Sequence, residues 1–201
     1  MRIKNKTSRL LAAAGVFAAC LLPLAAAAKG RIPADECKEI AKNQKSKQPL
    51  AYIAETTFGT LVKRDGNPDI AIIRELLDCG ADPNLRSDGG QYGLHWAAYY
   101  GNVELVELLV SKGAKINAMS DHESRYVLHG GYTPLHMALA GMAHAGYDNR
   151  VENVKIIEVL LKHGADRTIK DRHGDNPDNW GTPYQEAMRL KFDKVAALLK
   201  F

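Results

Sequence analysis

Gly131-Tyr132-Thr133-Pro134-Leu135-His136-Met137-Ala138, followed after an interruption by Val159-Leu160-Leu161-Lys162-His163-Gly164-Ala165-Asp166, decides how this chain folds. A shorter twin lies between Gly90 and Asn117. It reads Leu94-His95-Trp96-Ala97-Ala98, then Gly101-Asn102-Val103-Glu104-Leu105-Val106-Glu107-Leu108-Leu109-Val110-Ser111-Lys112-Gly113-Ala114. Spacing carries the reading outward. Gly80 and Gly113 stand 33 residues apart. Leu94 and Leu135 stand 41 apart, and because Leu94 to Gly113 is a regular 19, the surplus of eight falls around Asp121 to His129. Leu135 to Gly164 is 29, ten longer than in the twin, which places the extra residues between two helices, around Gly141 to Arg150. Leu135 to Tyr184 is 49, leaving six more in the loop that ends at Trp180. Surplus residues are therefore expected in connections, where lengthening costs little, and not in packed helices.

These residues resemble the ankyrin repeat, with its T-P-L-H-x-A opening, L-L-x-x-G-A ending and 33-residue period. The resemblance implies an all-α solenoid of stacked helix-turn-helix units with β-hairpin-like finger loops. It covers residues 49–201 in about four repeats, 49–84, 90–117, 131–168 and 181–201, strongly in the two middle ones. Asp69 to Asp78 carries Ile70, Ile73, Leu76 and Leu77 at helical spacing and ends in Cys79-Gly80-Ala81-Asp82, a helix stop. Gly181-Thr182-Pro183-Tyr184-Gln185 opens the last repeat, which ends after Leu199 without the Gly-Ala turn and reads as a C-terminal cap. Two departures stand out: Tyr92-Gly93 where Thr-Pro is usual, and Tyr184-Gln185 for Leu-His.

Residues 1–28 are a different kind of sequence. Arg2, Lys4, Lys6 and Arg9 precede an apolar run from Leu10 to Leu24, and Ala25 to Ala28 offers an A-x-A cleavage site. A secretory signal cut before Lys29 is expected, which places the mature protein in the periplasm or outside the cell. An uncleaved anchor and a lipoprotein at Cys20 are the competing readings. Pro33 to Lys47, within residues 29–48, reads as an N-terminal cap helix and linker, acidic early and basic late as a helix dipole favours. The chain holds 27 Lys and Arg against 23 Asp and Glu; four of the basic residues sit in the leader, so the remainder is neutral. A neutral domain lacks the field that nucleic-acid binding uses. No membrane span is expected after cleavage. With Cys20 removed, Cys37 and Cys79 form a disulfide candidate in an oxidising compartment. On the loop-entropy account such a bridge stabilises by roughly 3–4 kcal/mol.

Chemistry is sparse. His95 and His136 occupy the repeat's own histidine position, where the resemblance implies a structural hydrogen-bond network. His122, His129, His144, His163 and His173 show no zinc-ligand spacing. Asp171 to Asp178 lacks the Gly and the bidentate Glu of a calcium loop. Asp82, Asp88, Asp166 and Asp171 sit at turns, where Asp bonds nearby backbone. No nucleophile elbow or phosphate loop is present. The expectation is therefore a non-enzymatic protein, without cofactor or metal, acting as a monomer.

Binding is the better-supported role. The family's groove positions map onto Gln91, Tyr99, Tyr100, Met119 and Tyr132, mostly side chains of large contact area. The lengthened second finger adds His122, Arg125, Tyr126 and His129, whereas Trp96 is expected in the core. Three readings follow: a protein-binding scaffold, an immunity protein against a periplasm-acting toxin, or a secreted effector that binds a host protein. A redox or hydrolytic enzyme ranks last.

Overall fold

The computed structural model describes residues 70–84, 86, 90–121, 131–143, 150–172 and 181–200. The proposed leader, the N-terminal cap helix and most of the first repeat lie outside them. Seven helices run through the described residues: α1 (Ile70–Asp78), α2 (Gly93–Tyr99), α3 (Val103–Ser111), α4 (Pro134–Ala143), α5 (Arg150–Lys162), α6 (Pro183–Arg189) and α7 (Asp193–Leu199). Residues 71–81 belong to one compact unit and 82–200 to another.

Within the first unit, α1 buries Ile73, Leu76 and Leu77 and leaves Arg74 and Asp78 exposed, as its spacing requires. Its end is closed by Gly80 N–H donating to the Leu77 carbonyl at 3.0 Å and Ala81 N–H to that of Leu76 at 3.0 Å. The same pair closes α3 through Gly113 and Ala114, and α5 through Gly164 and Ala165. All three glycines have φ between 87° and 92°, the left-handed conformation that this helix ending demands.

In the second unit α2, α4 and α6 pack side by side in chain order, with α3 against α2 and α5 against α4. Ala97, Ala98, Ala138 and Ala187 are wholly buried, and such small residues let neighbouring backbones approach. Around them Leu94, Leu105, Leu135, Leu139, Ile156, Ile157, Leu160 and Leu199 form the core. The expected stretches Leu105 to Val110 and Ile156 to Leu161 are helical. The fingers contain one isolated antiparallel bridge, Arg86 with Tyr92, and no named strand among the described residues.

The third repeat corrects the expectation that insertions avoid helices. Its inner helix has 10 residues against 7 in the twin, and its outer helix 13 against 9. Most of the ten extra residues therefore lengthen α4 and α5. Two side-chain choices allow it. Gly141 lies where any Cβ would sit 2.0 Å from the Tyr99 carbonyl oxygen, so only glycine lets α4 continue past the end of α2. Asn153 sits where Asn102 caps α3, with Leu105 N–H donating to its Oδ1 at 2.9 Å. Because α5 starts at Arg150, four residues earlier than α3 does in its repeat, the Asn153 amide is inside the helix and fully buried. There it donates to the carbonyls of Ala98 (3.0 Å), Tyr99 (3.4 Å) and Ala138 (2.9 Å), tying α5 to the end of α2 and to α4.

Candidate functional site

The two buried histidines tie one repeat to the next. Tyr92 N–H donates to His95 Nδ1 at 3.3 Å, and Thr133 N–H to His136 Nδ1 at 3.4 Å. With Nδ1 accepting, the proton of each neutral ring sits on Nε2. That nitrogen reaches the following finger: His95 to the Tyr132 carbonyl at 2.8 Å, His136 to that of Gly181 at 3.1 Å. The same two carbonyls close the finger bases, accepting from Ser120 N–H and Asp171 N–H, both at 2.8 Å. In return Ser120 Oγ accepts from Tyr132 N–H at 3.0 Å and Asp171 Oδ1 from Gly181 N–H at 3.3 Å. Burial is the main force on both rings: it holds His95 down at about 4 and pushes His136 below its ordinary value. The last repeat replaces the ring with Gln185, whose Oε1 accepts from Thr182 N–H at 2.9 Å and which has no later repeat to reach among the described residues.

These contacts assign structural work to groups that could suggest catalysis. Asp171, first residue of the faint calcium-loop pattern, is buried in the finger base. Asp82 and Asp166 accept backbone N–H two residues on, from Asn84 and Thr168, both at 2.8 Å. Among the described residues no three His, Cys, Asp or Glu side chains gather as a metal site would need. An open, apolar hollow of about 330 Å³ lies between Met142 and Val154 on one side and Phe192 and Val195 on the other. Lys191, Asp193 and Lys194 complete its lining, without a histidine or nucleophile. Cys79 is disulfide-bonded, and the other two cysteines, Cys20 and Cys37, lie outside the described residues.

The expected groove residues divide. Gln91, Tyr99 and Tyr132 are buried, at 0%, 7% and 5% exposure, so their side chains do not offer the contact surface assigned to them. Tyr132 stacks on His136 with ring centroids 5.6 Å apart, and burial, with Glu186 and Asp171 nearby, drives its hydroxyl pKa upward. Tyr99 packs edge-on against both Trp96 and Tyr100. Tyr100 and Met119 are half-buried and present surface. His122, Arg125, Tyr126 and His129 lie outside the described residues.

Trp96 is the residue the sequence reading misplaced. It is half-buried, not core, and stacks on Tyr100 one turn later with centroids 5.8 Å apart and planes 17° apart. Its indole N–H is enclosed with no hydrogen-bond partner among the described residues. The equivalent Met137 is fully buried, and Glu186 is engaged by Arg189 through two hydrogen bonds of 2.6 and 2.9 Å. The i, i+4 spacing of Trp96 and Tyr100 was the available signal, since it puts both rings on one side of α2. Tyr92, also half-buried, stacks on His95 and lies under the Arg86 guanidinium, which pairs with Asp121 at 3.0 Å.

Comparison with known proteins agrees with this architecture. A family model described as ankyrin repeats, three copies, matches residues 61–171. The chain is 30% identical over 130 residues, 64% of its length, to the E3 ubiquitin-protein ligase KEG of Arabidopsis thaliana, of which that match is 7%. It is 30% identical over 139 residues to the palmitoyltransferase ZDHHC13 of Mus musculus, 69% of this chain and 19% of that one. It is 36% identical over 142 residues to the ANK repeat-containing protein nipk-1 of Caenorhabditis elegans, 67% of this chain and 22% of that one. The chain thus spans less than a quarter of each of these relatives. The ankyrin-repeat match covers more than half of the chain, including the repeats whose capping glycines and histidine ties are described above, and the chain belongs to the ankyrin-repeat family.

Proposed function

We propose that this chain is a non-enzymatic scaffold that binds a partner protein through the exposed side of α2 and the adjoining fingers. Ankyrin repeats are protein-binding modules, and here the histidines and turn aspartates are committed to holding the stack. The observation that carries the reading is the half-exposed Trp96–Tyr100 stack on α2. Large aromatic rings already held rigid by neighbours dominate binding energy at interfaces. Met119 adds to this surface, and Arg125 and Tyr126 of the lengthened second finger remain candidates on their sequence position.

The proposed site of action is the periplasm or the cell exterior, supported by the leader-like residues 1–28 and the disulfide at Cys79. Immunity against a periplasm-acting toxin is the narrower form, supported by the leader-like start and the irregular connections. A toxin-type hydrolase gene beside this one would favour it, and an unrelated neighbourhood would count against it. The binding reading is tested by affinity capture from a periplasmic extract with intact protein and a Trp96→Ala/Tyr100→Ala variant. A stoichiometric partner bound roughly 30-fold more weakly by the variant, about 2 kcal/mol, is expected. Equal capture by both proteins contradicts the assigned surface.

A further inference from the structure

Tyr92-Gly93 stands where the repeat usually has Thr-Pro, and the substitution changes what the neighbouring histidine can tolerate. On the Nδ1 side of His136 lies not only Thr133 N–H but also Thr133 Oγ1, at 2.8 Å. A hydroxyl either donates or accepts, so a second proton on this ring meets an oxygen able to take it. Asp171 and Glu186 also favour the charged form of His136. His95 has neither support. Its Nδ1 faces the Tyr92 backbone N–H at 3.3 Å, a group that only donates, and the ring is fully buried. Around it are the stacked Tyr92 ring, with the Arg86–Asp121 pair beyond, the carbonyls of Tyr132 and Ala118, and His136, whose charge opposes a charge on His95. A proton added to His95 in place would set N–H against N–H at Nδ1; the Tyr132 and Ala118 carbonyls favour the charge, burial opposes it more strongly, and among the described residues no carboxylate acts on the ring.

We infer that the Tyr92–His95 turn is an acid-sensitive joint, at which the first turn of α2 and its tie to the Tyr132 carbonyl open together and uncouple the second repeat from the third, while the His136–Gly181 junction holds. The driving force is linkage: an opened joint returns the imidazole to its ordinary affinity near 6.5, whereas burial keeps the closed one at about 4. Acid therefore favours the open form. The joint is a property of this chain alone and does not depend on the partner-binding reading.

Hydrogen exchange on the full chain tests it, read as protection relative to the intrinsic rate at each pH. The reporters are His95 N–H, bonded to the Tyr92 carbonyl, and Ser120 N–H, bonded to that of Tyr132, with Glu186 N–H of α6 as the internal control. Between pH ~7 and ~4.5 the first two lose protection by about tenfold or more while the control holds. His95→Gln, copying what Gln185 does in the last repeat, abolishes the loss, and Tyr92→Thr makes it smaller. Parallel loss at all three amides, or a loss that survives His95→Gln, overturns the inference. Should His95→Gln not fold, Tyr92→Thr decides, and an undiminished loss overturns it.

Discussion

Lys191 adopts φ of 59° at the end of α6, in the place that Gly101 fills at the end of α2. Both residues close the same turn, since Phe192 N–H donates to the Ala187 carbonyl as Asn102 N–H does to that of Ala97. A side chain in this conformation costs about 1–2 kcal/mol, of which glycine's extra unfolded-state freedom recovers part. Lys191→Gly is therefore expected to stabilise the protein by about 0.5–1 kcal/mol, read as a higher urea midpoint at unchanged slope; a lower midpoint contradicts it. Gly141→Ala acts in the opposite sense, because its Cβ would lie 2.0 Å from the Tyr99 oxygen. A loss of about 1–3 kcal/mol is expected, the cost of forcing atoms into a packed contact. His95 contributes to the pH dependence of global stability, as does His136, which burial also pushes below its ordinary value. The closed-state value of His95 near 4 lies below the ordinary 6.5, so its contribution is complete above 6.5 and drains away as pH falls toward 4, by about 3 kcal/mol in total. Urea midpoints measured across that range fall steeply for the native chain and less steeply for His95→Gln.

At the level of helices, Asn102 and Asn153 show one residue type doing two jobs at the same place in successive repeats. Asn102→Ala removes an N-cap and is expected to cost about 1 kcal/mol. Asn153→Ala removes three buried donations that tie α5 to the end of α2 and to α4, and about 2–3 kcal/mol is expected. Thermal or urea unfolding of the two variants ranks them, and an equal loss would mean that Asn153 acts only as a cap. This pair also marks where sequence reasoning stopped. Spacing placed the ten extra residues of the third repeat between Leu135 and Gly164, because both landmarks are unmistakable. It could not tell that the surplus would be absorbed into α4 and α5, since that rests on Gly141 clearing a carbonyl and Asn153 taking up the end of a helix two elements away. The capping glycines were legible for the converse reason, as their left-handed conformation is a local demand.

For the molecule as a whole, stacking was readable and side-chain exposure along the proposed binding face only partly so. The His-to-next-finger contacts recur in the second and third repeats, and a recurring residue at a fixed period announces such a role. Side-chain exposure follows from how neighbouring repeats crowd one another. Tyr99 and Tyr132 therefore turned inward, whereas Trp96, which has the large side chain of a core residue, stayed half-exposed beside Tyr100. The last repeat carries further apolar surface in Met188 and Leu198, 49% and 38% exposed. The claim that the inner-helix side carries recognition is tested most directly by site-specific photocrosslinking. A photoreactive residue replaces Trp96 or Met119 on the proposed face, or the exposed Glu107 on the outer helix α3. Crosslinks to one partner protein from the first two positions and none from Glu107 are predicted. Crosslinking from Glu107 alone, or equally from all three, would contradict the account.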